Sequence, residues 1–148
     1  MRQRIVILSG IAALAISFGV IAAPAFAVET SVSAEAGDLL YSGVWTKKSF
    51  KSSGAWEIFA EDGKTFVKLS DDFATRKAPD LKLFLSPLAA KDTSGKNATK
   101  GSVLIAPLTS NKGGQVYEIP EGVDLDDFKS ILIHCEEYAK LWSAADLT

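Results

Sequence analysis

The sequence holds one cysteine, Cys135, one histidine, His134, and one methionine, Met1. A single thiol cannot form an intramolecular disulfide, hold an iron–sulfur cluster or complete a four-cysteine zinc site. It equally excludes the paired cysteines of a c-type haem attachment. A single histidine rules out three-histidine zinc and two-histidine copper centres. A processed chain would keep no methionine to serve as a ligand. No G-x-S-x-G stands anywhere, and the lone histidine falls within an apolar, strand-like run, so a serine nucleophile has no support. Dense basic runs are absent too. Lys47, Lys48 and Lys51 form the nearest thing to one, and they read as a solvated face, so no nucleic-acid contact is expected. Long amphipathic helices, heptads and internal repeats are also missing.

What is present begins with Arg2 and Arg4, followed by an uncharged apolar stretch from Ile5 to Ala23 and then Ala25-Phe26-Ala27. A positive start, an apolar middle and small residues at −3 and −1 make a secretory signal, with cleavage expected after Ala27. The competing reading is an uncleaved anchor, since the apolar run nearly spans a bilayer. Ser9, Gly10, Ser17 and Gly19 dilute that run, and no cysteine follows the cleavage site, so no lipid anchor and no membrane span are expected in the mature chain. The segment 1–27 is thus read as a signal peptide, 28–38 as a flexible lead-in and 39–148 as one domain. The expected location is periplasmic or secreted. Without Arg2 and Arg4, 14 basic residues face 18 acidic ones, a net of −4. An unpaired cysteine in an oxidising compartment is unusual and asks for an explanation.

From Leu39 onward, short apolar stretches are broken by turn residues, an all-β pattern. Strands are expected at 43–50, 55–60, 64–69, 80–86, 102–108, 115–119 and 130–136. Asp62-Gly63 marks a hairpin, because both residues tolerate left-handed dihedrals. Ser70-Asp71-Asp72 suggests a capped helical turn, as does the stretch from Leu125. The segment 87–101 is polar and reads as a mobile loop. The tail from Tyr138 fits either a last strand or a helix. About eight short strands in one antiparallel domain imply a β-sandwich or a closed barrel.

Several short motifs occur in order: Gly43 to Ile58, which contains Gly54 and Trp56; Leu69 to Phe73; Ala78-Pro79-Asp80-Leu81; Gly114 to Pro120, which contains Gln115 and Tyr117; and Ile131-Leu132-Ile133-His134-Cys135-Glu136. Together they resemble the electron-transfer DM-thirteen domain, over about Leu39 to Leu147. The resemblance implies an extracytoplasmic β-rich module found beside DOMON domains and membrane cytochromes. It implies a redox or electron-transfer role with no substrate of the module's own, and a membrane cytochrome or DOMON-type protein as partner. The family's cysteine corresponds to Cys135, acting as a bare thiol or holding a prosthetic group such as haem. Two departures stand near it. His134 replaces a frequent aromatic, and Ser143 replaces a glycine in Trp142-Ser143-Ala144-Ala145.

Read from the residues alone, Cys135 has two meanings. Alternation along a strand puts it on one face with Ile131 and Ile133, and His134 on the other with Leu132. The pair can share a metal only if the strand bulges there. Cys135 is then either a buried small hydrophobe or a redox thiol or cofactor ligand. His134 reads as a surface or edge residue, with a sixth haem ligand as the alternative. Trp45, Trp56, Tyr117 and Phe84 would flank a porphyrin or simply fill the core. Gly54, Trp56, Pro79, Asp80, Gln115 and Tyr117 are read as structural, Asp80 through an Asx-turn. Asp71, Asp72, Asp124, Asp126 and Asp127 lack calcium-loop spacing, so no metal is expected. A binding or adhesion module with an inert thiol is the competing function.

Overall fold

The computed structural model describes residues 37–148. The expected signal segment, its cleavage site and most of the expected lead-in lie outside the described residues. Among the described residues no helix is long and apolar enough to cross a membrane. The described chain is all β, with nine strands: β1 (Asp38–Val44), β2 (Thr46–Lys47), β3 (Ala55–Glu61), β4 (Lys64–Leu69), β5 (Leu81–Ser86), β6 (Val103–Pro107), β7 (Gln115–Glu118), β8 (Ser130–Cys135) and β9 (Lys140–Asp146).

The strands form two antiparallel sheets, ordered β1-β3-β4-β7 and β2-β9-β8-β5-β6. This is a sandwich, and the closed-barrel alternative is excluded. Period-two alternation builds the layer between the sheets. Trp56 and Ile58 of β3 and Val67 and Leu69 of β4 face inward from the first sheet. Leu81, Leu83 and Leu85 of β5 and Ile131 and Ile133 of β8 face inward from the second, and all belong to one buried cluster. The β3–β4 hairpin turns on Asp62 (φ 50°) and Gly63 (φ 75°), the two left-handed residues that a two-residue turn of the I′ type needs.

Three expectations need correction. The single strand expected over 43–50 is divided. The chain leaves the first sheet at Val44, buries Trp45 (8% exposed) between the layers and joins the second sheet as β2. Alternation continues through Val44-Trp45-Thr46, so the pattern gives no sign of the crossing. The segment 87–101, expected as a mobile loop, is packed down and hydrogen-bonded. It lies over the outer face of the second sheet, where Ala90 and Ala98 join Phe84, Leu132, Leu141 and Ala144 in a second buried cluster. The amide of Ala90 donates to Asp146 Oδ1 (2.6 Å), Ser130 Oγ to the Leu88 carbonyl (2.7 Å) and Asn97 Nδ2 to the Asp92 carbonyl (3.0 Å). Two clusters on opposite faces explain why every residue of β8 is buried. Ser70 to Phe73 forms a β-turn, with the Phe73 amide donating to the Ser70 carbonyl, in place of the helical turn. The turn at Leu125–Asp127 is 3-10, capped by Asp124. The ambiguous tail is strand β9.

Candidate functional site

β8 has a neighbour on both sides, β5 and β9, and Cys135 is its last residue, opposite Leu81 on one side and Lys140 on the other. The thiol is free and 0% exposed. It belongs to the inter-sheet cluster with Ile131 and Ile133, as alternation requires. His134 faces the opposite way, toward Phe84, whose ring it meets edge-on at 6.1 Å. The two residues therefore do not converge on one ligand.

A bulge is present, but on the neighbouring strand. Ile133 pairs with Ser143 and His134 with Leu141, which leaves Trp142 as the extra residue of β9. Leu141 packs with the outer cluster and Trp142 with the inner one. Trp142 thereby comes to lie diagonal to Cys135 across the strand pair. Ser143 also turns inward, where its hydroxyl is fully buried. It bonds Ser52 Oγ (2.8 Å) and donates to the Phe50 carbonyl (2.9 Å). A serine in place of a glycine is thus fully satisfied here and ties β9 to residues 50–52. The sequence gives no signal for this bulge, because it needs the register of two strands that a turn separates.

His134 is 2% exposed, which overturns the surface or edge reading. The covering loop comes from a distant stretch of polar sequence, so alternation alone does not reveal it. Its Nδ1 is buried with no hydrogen-bond partner. Burial holds the imidazole below its ordinary pKa, and the nearby Glu136 and Asp80 carboxylates oppose that shift. Opposite His134 on β5 stands Lys82, which pairs with Asp80 (3.2 Å) and with Glu136. The hydrogen bond to Glu136 is the largest of the effects that raise the Lys82 ammonium above its ordinary value. The Asp80 carboxylate is thus taken up by Lys82, not by backbone amides as an Asx-turn would have it.

The remaining sequence candidates are spread through the fold. Gly54 takes φ 85° against Phe73 and Ser70. Trp56 is fully buried 6.2 Å from Trp45. Pro79 and Asp80 line a surface cavity of about 290 Å³ beside Leu81. Gln115 and Tyr117 anchor the loop before β7. The Thr109 amide donates to Tyr117 Oη (2.9 Å) and the Ser110 amide to Gln115 Oε1 (3.0 Å). The four aromatics considered for a porphyrin do not share a face. Trp45 and Trp56 are in the inner layer, Tyr117 is partly buried against it with its hydroxyl bonded to Thr109 and Gln115, and Phe84 is under the outer loop. The unpartnered indole N–H groups of Trp45 and Trp56 are donors and cannot ligate iron. With Cys135 packed inside and His134 outside, these residues do not fit a haem. Among the described residues no three His, Cys, Asp or Glu side chains gather as a metal site.

Comparison with known proteins agrees with the strand pattern and the motifs. A family model described as electron transfer DM13 matches residues 45–147, β2 through β9. No curated protein and no solved structure matches the chain.

Proposed function

The chain belongs to the electron transfer DM13 family, and from that premise we propose an exported electron-transfer module whose redox centre is Cys135. The observation that carries this reading is the family match over 45–147, which contains the chain's one cysteine. The chemistry open to one thiol without a cofactor is exchange. The Cys135 thiolate attacks one sulfur of a partner's disulfide and forms a mixed disulfide as the partner's S–S bond breaks and its released thiolate takes up a proton. A second thiolate, from an external thiol, then attacks the partner's sulfur in the mixed disulfide and frees the Cys135 thiolate, so that the electron pair passes from that thiol to the partner. Cys135 ends β8 next to the exposed turn 136–139, so opening that end gives the thiol its route to solvent. The signal pattern at 1–27 supports action outside the cytoplasm, where such partners are oxidised. The partner expected from the family context is a membrane cytochrome or a DOMON-type protein.

The test is a redox titration of the exported protein beside Cys135→Ser. The variant is expected to keep the fold and lose the redox response. An unchanged titration in the variant refutes the assignment. A second reading, an extracytoplasmic binding or adhesion module with an inert thiol, draws its support from the complete burial of Cys135. A thiol reagent separates the two: reaction in the native state supports the redox reading, and reaction only on unfolding supports the binding module.

A further inference from the structure

The β2–β9 end of the sandwich carries a second feature that the sequence motifs do not mark. Phe50 and Trp142 pack at 4.4 Å between ring centroids, tilted by 48°. The Trp142 indole N–H donates to the Arg76 carbonyl (3.0 Å), which fixes the ring. Above Phe50 stand the Arg76 guanidinium at 4.7 Å and the Lys140 ammonium at 5.8 Å. These residues, with Lys77 and the exposed Tyr138, line a cavity of about 290 Å³. None of its lining residues is acidic. Among the described residues Arg76, Lys77 and Lys140 take part in no ion pair. The nearest acidic pair, Asp80 and Glu136, is engaged by Lys82, and Glu137 lies in the exposed turn beside Tyr138.

We propose that this cavity binds a small planar aromatic anion, a one- or two-ring carboxylate. Trp142 is buried and Arg76 stands over Phe50, so the aromatic surface open to a ring is the exposed Tyr138 with the half-buried edge of Phe50. Three uncompensated cations at its rim offer paired donors for a carboxylate, and arginine can meet both oxygens at once. The volume matches a one- or two-ring molecule and falls short of a porphyrin. The site needs no chemistry at Cys135, so it stands apart from the redox reading.

The probe is 2-naphthoate, titrated into the nitrogen-labelled protein and followed by amide and indole N–H shifts. Saturable shifts are expected at the Trp142 indole and at residues 50, 76 and 138–140. Lys140→Ala and Tyr138→Ala, both at exposed positions, are each expected to weaken binding about threefold or more, the size expected of one exposed charge or ring contact. Raising the salt concentration weakens it further by screening. The neutral 2-naphthylmethanol is expected to bind more weakly than the carboxylate, and Cys135→Ser to bind like the parent. Absence of saturable shifts at millimolar probe overturns the proposal. So do shifts centred elsewhere, or equal binding of the carboxylate and the alcohol.

Discussion

Protonating His134 in the folded chain places a buried cation on the outer face of the second sheet, edge-on to Phe84, with Nδ1 unpaired. Burial therefore keeps its folded pKa below the ordinary value, despite Glu136 and Asp80. As pH falls through about 6.5, the unfolded chain takes up the proton first. It then binds more protons than the folded chain, so stability rises with pH and falls as pH drops below that value. Urea unfolding at pH 7.5 and at pH 5.5, where carboxylates stay ionised, is expected to show a lower midpoint at the acid pH. His134→Phe removes this difference, and a parental midpoint unchanged between the two refutes the account. The faces of Cys135 and His134 were both legible from alternation. What covers each face was not. The inner cover is the opposite sheet. The outer cover is a polar loop whose anchors, Ala90 and Ala98, look like any small loop residue.

The β3–β4 hairpin and the turn before β3 use glycine for different reasons, and substitution separates them. At Gly63 an added Cβ meets nothing within 4 Å, so only the left-handed backbone is penalised. Gly63→Ala is expected to destabilise by about 1–2 kcal/mol. At Gly54 the same backbone region is occupied, and the Cβ would also come within 2.7 Å of the Phe73 Cα and of Ser70 Oγ. A backbone atom cannot rotate away, so Gly54→Ala is expected to cost clearly more. Equal losses for the two variants in urea unfolding would show that the Phe73 contact yields freely. The two elements also differ in how far the sequence reveals them. Asp62-Gly63 carries its turn type locally, and the strands beside it fall within a residue of expectation. The crossing at Trp45 and the bulge at Trp142 depend on which sheet receives the chain and in what register. Those are decided by packing between strands far apart in sequence, so no local pattern holds them.

The sandwich offers Cys135 two ways of meeting a reagent: global opening, or fraying of the β8–β9 end. The two are separable because the inner layer is shared by both sheets while the turn 136–139 is local. Ile58 is fully buried in the sheet opposite β8. Ile58→Ala is expected to cost about 2–5 kcal/mol. That raises the population of the globally open chain by at least about thirtyfold. If Cys135 is reached only through that state, native-state labelling by a thiol reagent accelerates by the same factor. The expectation here is local access. The register of β8 ends at Cys135 opposite Leu81, and beyond it the chain is held by the Glu136 amide on the Asp80 carbonyl (3.3 Å), the Ala139 amide on the Glu136 carbonyl (3.0 Å) and the exposed Lys82–Glu136 pair, with no further strand pairing. Ala139 in the following turn holds φ 46°, a conformation unfavourable for a residue with a Cβ. Labelling in the parent is therefore expected to outpace global unfolding and to be nearly unchanged by Ile58→Ala. An acceleration that matches the loss of stability would place Cys135 behind the whole core. A thiol kept there cannot exchange with a partner on the timescale of the folded protein, and the binding-module reading would then displace the redox one.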